Sequence, residues 1–355
     1  MKYGLPYKGS KNKLAERIVS LLPKRTHLID LFCGGCAVSH AALLRNKYEH
    51  IHINDINWMC PTLFIDALNG KYQNETRWIS REDFFRLKDT DPYVAVVWSF
   101  GNNLRDYLYS KEIEPLKKAI HYAIFFRDYS LGKDLGYDLS FIEPISDIQR
   151  RYAAVKRYFS QFGHFRQQSF EGGAESSRLQ STETYGRKNQ TGECGKMEYK
   201  SHLSKKNTNA QANFNQEKDA TALHRLQYRE RQLSLPRNSG WAISNITSSV
   251  LDYAKVEIPK DSVIYCDIPY EGTEGYLEED SGGFDYERFY DWCEHQTQPV
   301  FISSYQMPDD RFDCIEEFYH RSTLSATANN LVTERIYVPK HQKERGNRAI
   351  QLSLF

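Results

Sequence analysis

The 355-residue sequence reads as an α/β protein, a Rossmann-like doubly wound core formed by both ends of the chain and interrupted by a mainly helical, partly disordered insertion. Three observations predict this. Short apolar runs (Leu28 to Phe32, Ile51 to Asn57, Val263 to Tyr265, Val300 to Tyr305, Ile336 to Val338) alternate with stretches of helical periodicity. Two of the runs end in special turns, Gly34-Gly35 after the first and Asp267-Ile268-Pro269-Tyr270 after the central one, on the carboxyl edge where open α/β sheets bind ligands. Between residues 165 and 237 hydrophobic periodicity fades into Gln, Asn, Ser, Thr, Lys and Arg, a composition too polar to fold alone. The expected division is a core of residues 1–75 and 240–340, an insertion over 76–239 whose flexible part is 165–237, and a tail over 341–355.

Composition narrows the function classes. A net charge of +1 means that any basic surface is local, and residues 150–237 hold 17 Lys+Arg against 8 Asp+Glu. The N-terminus lacks an apolar signal region and no segment reaches the length of a membrane span, so a cytoplasmic location is expected. Seven cysteines, an odd number, do not form a disulfide framework, and no second C-x-x-C or His pair supplies ligands for zinc, so no metal site is expected. The exception is Cys33-Gly34-Gly35-Cys36, which by its place after a strand also fits a thiol-disulfide motif.

Along the chain, Tyr7-Lys8-Gly9-Ser10-Lys11 precedes a helix marked by Leu14, Ile18, Val19 and Leu22, with Ser10 or Asn12 as its expected cap and Pro23 as its end. This turn offers an aromatic face and a cation to a small ligand. The first strand ends at Phe32, and Gly34-Gly35 turns it into a helix from Ala37 to Leu44, allowing close backbone approach at a helix start. The second strand ends in Asp55, about 20 residues past the glycines, the usual place of an acid that holds ribose hydroxyls. Residues 71–163 read as mostly helical, near Arg81 to Leu87, Pro115 to Phe126 and Asp147 to Phe162. Among them the polar stretch Ser99 to Arg105, with Asn102, Asn103 and Arg105, can reach base edges or phosphates or simply link helices. The basic segment beyond 165 can contact phosphates.

Asp267-Ile268-Pro269-Tyr270 suits methylation of an exocyclic amine. Such a nitrogen is a poor nucleophile because its lone pair is delocalised into the ring. Asp267 and the Ile268 carbonyl can accept its two hydrogens and stabilise the positive charge that develops on it. Pro269 restricts Ile268 to an extended backbone, and Tyr270 supplies a stacking face for a base taken out of a duplex. Residues 271–283, with four glycines and several acids, read as a mobile loop, and Phe284 to Trp292 as an amphipathic helix.

Taken together and in order, Tyr7 to Lys11, Asp30-Leu31-Phe32-Cys33-Gly34-Gly35, Asn54-Asp55-Ile56-Asn57 and Asp267-Ile268-Pro269-Tyr270 resemble the Dam-like DNA adenine N6-methyltransferases, over about residues 1–70 and 240–340. Asn329-Asn330 with Thr333-Glu334-Arg335 resembles a late motif of that family. The resemblance implies an S-adenosyl-L-methionine site lined by Tyr7, Lys11, Asp30, Phe32, Gly34, Asp55 and Asp267. It further implies catalysis by Asp267, Ile268, Pro269 and Tyr270, base flipping from double-stranded DNA, and a place in restriction-modification chemistry. Two departures stand out: Ile268 replaces the first proline of D-P-P-Y, and Asp30 to Gly35 replaces a more usual acid-P-F-x-G-x-G.

The C-terminal Gln351-Leu352-Ser353-Leu354-Phe355 resembles the peptide with which bacterial replication and repair proteins dock on the sliding clamp, so Gln351, Leu352, Leu354 and Phe355 are candidate partner contacts. N4-cytosine methylation poses the same chemical problem and stays open. So does a catalytically inactive DNA-binding or clamp-associated protein of the same fold. A cytosine C5-methyltransferase needs a nucleophilic cysteine after proline, and Cys60-Pro61 has the reverse order.

Overall fold

The computed structural model describes residues 3–7, 9–161, 245–270, 283–321 and 331–342. Seven strands form one sheet in the order β3-β2-β1-β4-β5-β7-β6. They are β1 (His27–Asp30), β2 (His50–Asn54), β3 (Ile246–Ser249), β4 (Ser262–Asp267), β5 (Val300–Ser304), β6 (Phe312–Arg321) and β7 (Leu331–Pro339). The first five are parallel, whereas β7 runs antiparallel to both β5 and β6.

Alternation along the strands fills two layers. Leu28, Ile51, Val263, Tyr265, Phe301, Ile336 and Val338 join one core cluster, and Ile29, Leu31, Ile264, Cys266, Ile302 and Tyr337 join the other. Both faces of the central strands are therefore covered, which is why they read as continuous apolar runs. The first layer is closed by α1 (Ala15–Leu21), α2 (Ala37–Leu44), α3 (Met59–Leu68), α4 (Arg81–Leu87) and α5 (Pro92–Val97). The second is closed by a later helix, Tyr286–Glu294, whose start is capped by Asp285 accepting from the Arg288 N–H. The first core cluster runs on past residue 75, through Ile79, Phe84, Tyr93 and Trp98 to Ile113.

Beyond it, α6 (Glu114–Phe126), α7 (Ser130–Asp134) and α8 (Ile148–Gln161) enclose a separate small core of Ile120, Ala123, Ile124, Leu139, Ile142, Val155 and Phe159. The helix Tyr286–Glu294 is α9 in chain order. Among the described residues no helix is long and apolar enough to cross a membrane.

Most expected elements occur within a few residues of their predicted ends, with two differences. The first helix is not capped by Ser10 or Asn12: a 3-10 turn over Lys11–Lys13 leads into α1, no side chain caps either, and Asn12 Oδ1 instead accepts from the Tyr3 N–H at 3.2 Å. Strands β3 and β6 and helix α3 were not expected. Of these, β6 lies at the sheet edge, carries Glu316 and Glu317, and has a bulge between Cys314 and Glu316 that breaks the two-residue alternation. The segments expected to be flexible (165–237), to form a closing loop (271–282), to carry Asn329-Asn330 and to carry the clamp-type peptide (351–355) lie outside the described residues.

Candidate active site

The chain leaves β1 to build β2 and β3 on one side, then returns to the other side of β1 with β4. That reversal makes the carboxyl ends of β1 and β4 a topological switch point, the crevice in which such sheets bind ligands. Register puts Asp30 opposite Tyr265, so the turn after β1 and the loop after β4 open side by side.

On the β1 side the N-terminal segment lies on the glycine turn. The Leu5 N–H donates to the Gly35 carbonyl at 2.6 Å, and a Cβ on Gly35 would stand 2.8 Å from Tyr7 Cβ and 3.0 Å from the Leu5 carbonyl. Gly34 has φ +43°, and a Cβ there would meet the Tyr7 ring at 3.1 Å. The bare face of Gly35 thus admits the chain's own Tyr7 and Leu5 rather than a ligand, and the glycines position the tyrosine. The Gly34 N–H donates to Asp55 Oδ2 at 2.8 Å, tying this turn to the acid at the end of β2, while Asp55 Oδ1 accepts from the Asn57 N–H at 2.9 Å. Burial nevertheless keeps the Asp55 carboxyl above its ordinary range. Tyr7, Gly34 and Asp55 are therefore one assembly. Beside it Ile56 is 63 % exposed, an apolar side chain next to Asp55 that sequence spacing does not single out.

Asp30 is buried at the end of β1, accepts from Ser39 Oγ at 2.5 Å through Oδ2, and keeps Oδ1 without a hydrogen-bond partner among the described residues. Its carboxyl is pushed up to about 7, first by burial, with the charges of Asp267 and Asp55 adding to it and the Ser39 hydroxyl opposing. Phe32 packs on Tyr253, Phe284 and Phe289 with ring centres 5.5–5.8 Å apart, wedging the turn against α9. Asn54 bolts the neighbouring strand ends together: its amide donates to the carbonyls of Leu31 and Leu251, and its Oδ1 accepts from Ser249 Oγ and the Leu251 N–H.

On the β4 side, Lys11 reaches in from the 3-10 turn, only 7 % exposed, and its ammonium pairs with Asp267 Oδ1 at 2.7 Å and Glu334 Oε1 at 3.1 Å. Burial alone would lower this ammonium, but the two carboxylates outweigh it and hold Lys11 above the usual lysine range. The Tyr270 hydroxyl donates to Glu334 Oε1 at 2.5 Å and lies 3.5 Å from Asp267 Oδ1. Its ring sits 4.9 Å from the Lys11 ammonium and 4.1 Å, centre to centre, from Tyr305. Burial pushes the Tyr270 phenol up, helped by both carboxylates. Asp267, its side chain 21 % exposed, is raised by burial to about 6, with Lys11 pulling down and Glu334 pushing up. Below it Tyr265 and Ser303 share a buried 2.7 Å hydrogen bond across β4 and β5. Ile268 is buried, and the Pro269 carbonyl accepts from the Tyr286 hydroxyl at 3.1 Å, which pins the loop to α9.

Glu334, named in the sequence only within a late-motif resemblance and given no role there, is the fourth member of the cluster. A signal was present: in β7 it shares a face with the core residues Ile336 and Val338, and a charge in a buried register needs a partner. The antiparallel run of β7 brings it to the edge where Asp267 ends β4.

The loop after α5 lies outside this cluster. Asn102 is buried and donates to the Val96 carbonyl at 2.8 Å, and Asn103 accepts from the Arg105 and Asp106 N–H groups while its amide donates to Asp106. The Asn102 amide is engaged by α5 and the Asn103 amide within the loop, and of the three residues Arg105 is the exposed one. Cys33 and Cys36 are free, buried thiols pushed up by burial, the reverse of the exposed, lowered thiol that redox exchange requires.

Residues 7–127 match the model of the D12 class N6 adenine-specific DNA methyltransferases. The matched stretch holds Tyr7, Lys11, Asp30, the glycine turn and Asp55, and ends within a residue of the end of α6. With that match, the resemblance of this chain to the Dam-like DNA adenine methyltransferases is borne out over residues 7–127, which hold three of the four stretches it was read from; Asp267 to Tyr270 lies outside the matched residues.

Proposed function

We propose that the chain is an S-adenosyl-L-methionine-dependent DNA methyltransferase that acts on N6 of adenine. The carrying observation is the Lys11, Asp267, Tyr270 and Glu334 cluster at the β1/β4 switch point. There the Asp267 carboxylate and the half-buried Tyr270 ring stand together, an arrangement that suits a flat base bearing an amine, with the Ile268 carbonyl between them in the chain as the second acceptor of this reading. When bound, S-adenosylmethionine supplies a methyl group on a cationic sulfur. The residues present suit it: Asp30 offers an unpartnered buried oxygen, Asp55 a carboxylate for ribose hydroxyls, and Ile56 and Tyr7 apolar surface for a purine.

The chain's own groups do the rest by position. Asp267 and the Ile268 carbonyl accept the two N6 hydrogens, which draws the lone pair out of conjugation and stabilises the charge that forms on nitrogen. Tyr270, held by Glu334 and backed by Tyr305, keeps a stacking face for a base out of the helix. With its acidity near 6, Asp267 stays ionised at neutral pH. Double-stranded DNA is the substrate, its phosphates met by exposed cations such as Arg105 and, on α8, Arg150, Lys156 and Arg157.

The test is methylome sequencing of DNA from cells expressing the protein or its Asp267→Ala variant. N6-methyladenine in one sequence context, reduced at least about 100-fold in the variant, is expected from loss of such an acceptor. N4-methylcytosine instead, or no methylation with the unaltered chain, overturns the assignment.

A further inference from the structure

Glu334 lies on β7, outside both the glycine turn and the D-I-P-Y loop, yet it contacts two members of the cluster at once. Its side chain is 4 % exposed. Counting charges gives the reason for a second carboxylate. Lys11 and Asp267 alone sum to zero; with Glu334 the buried group carries one net negative charge. Lys11 is divided between two acceptors, meeting one oxygen of each acid, Asp267 Oδ1 and Glu334 Oε1.

We propose that Glu334 is a positioning residue that sets the charge of the site: by sharing Lys11 and holding the Tyr270 hydroxyl, it leaves Asp267 free to face a cationic methyl donor and a developing cation on the base. The inference rests on the methyltransferase reading. Without Glu334, Lys11 would neutralise Asp267 completely and place its own positive charge beside a positively charged ligand. In the low-dielectric edge of a sheet, one unit charge several ångströms from a cation alters affinity by roughly tenfold or more.

Binding of two ligands that differ in that charge tests this apart from turnover. Titration calorimetry of the full chain is made with S-adenosylmethionine, whose sulfur is cationic, and with S-adenosylhomocysteine, whose sulfur is neutral. Glu334→Gln, which keeps an acceptor for Tyr270, is expected to weaken the cationic ligand about tenfold and the neutral one less than about twofold. Glu334→Asp keeps the charge while losing the reach to Tyr270, so its ratio of the two affinities is expected to match the unaltered chain even where methyl transfer slows. Equal weakening of both ligands in Glu334→Gln, or a fallen ratio in Glu334→Asp, makes Glu334 a scaffold residue and overturns the proposal. Should Glu334→Gln fail to fold, the Glu334→Asp ratio decides alone. An unaltered chain that binds neither ligand defeats the methyltransferase reading itself, and the inference with it, before any variant is compared.

The pH profile of transfer supplies a second readout. Asp267 is faced by Lys11, Glu334, Tyr270, Asp30, Tyr265 and Tyr305, and among these Glu334 raises its pKa. The acid limb is expected to move to lower pH in Glu334→Gln, whereas a merely structural loss lowers the rate at every pH and leaves the midpoint in place.

Discussion

Two cations are buried to about the same degree in different parts of the molecule, Lys11 at the sheet edge and Arg151 in the helical core, 7 % and 5 % exposed. Lys11 meets two carboxylates. Arg151 meets neutral oxygens, donating to the carbonyls of Ile124 and Ile145 at 2.6 Å and of Ser146 at 3.3 Å. A guanidinium fork set among carbonyls at helix ends is a latch: it satisfies backbone acceptors and complements the negative end of α6. An ammonium shared by two acids is an electrostatic device, and it sits where a ligand is expected. On the function proposed above, the two sites separate holding a fold together from preparing a reaction.

The largest expected effect comes from removing the first cation. Lys11→Met takes away the common partner of Asp267 and Glu334, leaving two buried carboxylates against each other. Breaking a buried ionic group in this way costs about 3–5 kcal/mol. One of the two acids will take up a proton near neutral pH, so transfer activity is expected to fall by more than the loss of stability explains. Thermal melting beside transfer assays checks this; a variant that melts normally and methylates normally would erase the distinction between latch and device.

Asp30 sharpens the same contrast, because it is a buried acid that no cation pairs with among the described residues. Its folded value of about 7 lies above the ordinary 3.8, so the native state holds the proton more tightly than the unfolded chain. The stability that goes with the protonated form is full below about 3.8, declines as pH rises towards 7, and is gone above it. Asp30→Asn cannot ionise. Its advantage over the unaltered chain is expected to be small at pH 4, to grow through pH 7, and to level off at a few kcal/mol, because each tenfold difference in proton affinity between the folded and unfolded chain is worth about 1.4 kcal/mol. Melting temperatures across that range check the sign; a gain that is largest at low pH contradicts it. The same substitution is expected to weaken cofactor binding if Asp30 Oδ1 faces the ligand.

Much of the sheet was legible because both faces of β1, β4 and β5 are buried, so Leu28 to Asp30, Val263 to Tyr265 and Val300 to Ile302 announce themselves as apolar runs. The residues gathered at the β1 side of the switch point were legible for a different reason: Asp30, Gly34 and Asp55 stand at or just after strand ends, where local spacing is informative. Glu334 was not, since 67 residues separate it from Asp267 and only the antiparallel return of β7 brings them together. Edge position hid β6, whose charges and bulge obscure the strand pattern. Arg151 was hidden in plain sight. It stands four and eight residues before Val155 and Phe159 on one stripe of α8, next to an exposed Arg150 that looks the same in sequence.

That stripe sets the smallest effect and the sharpest control. Arg151→Lys keeps the charge but replaces a planar five-donor fork by a single point of donation, so one ammonium must serve three carbonyls now reached by Nε and both terminal nitrogens. Loss of one or two such contacts is expected to cost about 1–2 kcal/mol, since each buried carbonyl left without a donor costs on that order. The loss should fall on the core of α6, α7 and α8, whose Ile124 and Val155 lie around the latch, and leave cofactor affinity unchanged because Lys11, Asp267, Tyr270 and Glu334 are not among the described residues of that core. Hydrogen exchange resolved along the chain, read beside cofactor titration, distinguishes the outcomes. Faster exchange confined to residues 114–161 with intact binding supports a local latch, while a parallel loss of cofactor affinity would mean that the helical core and the reactive edge stand or fall together.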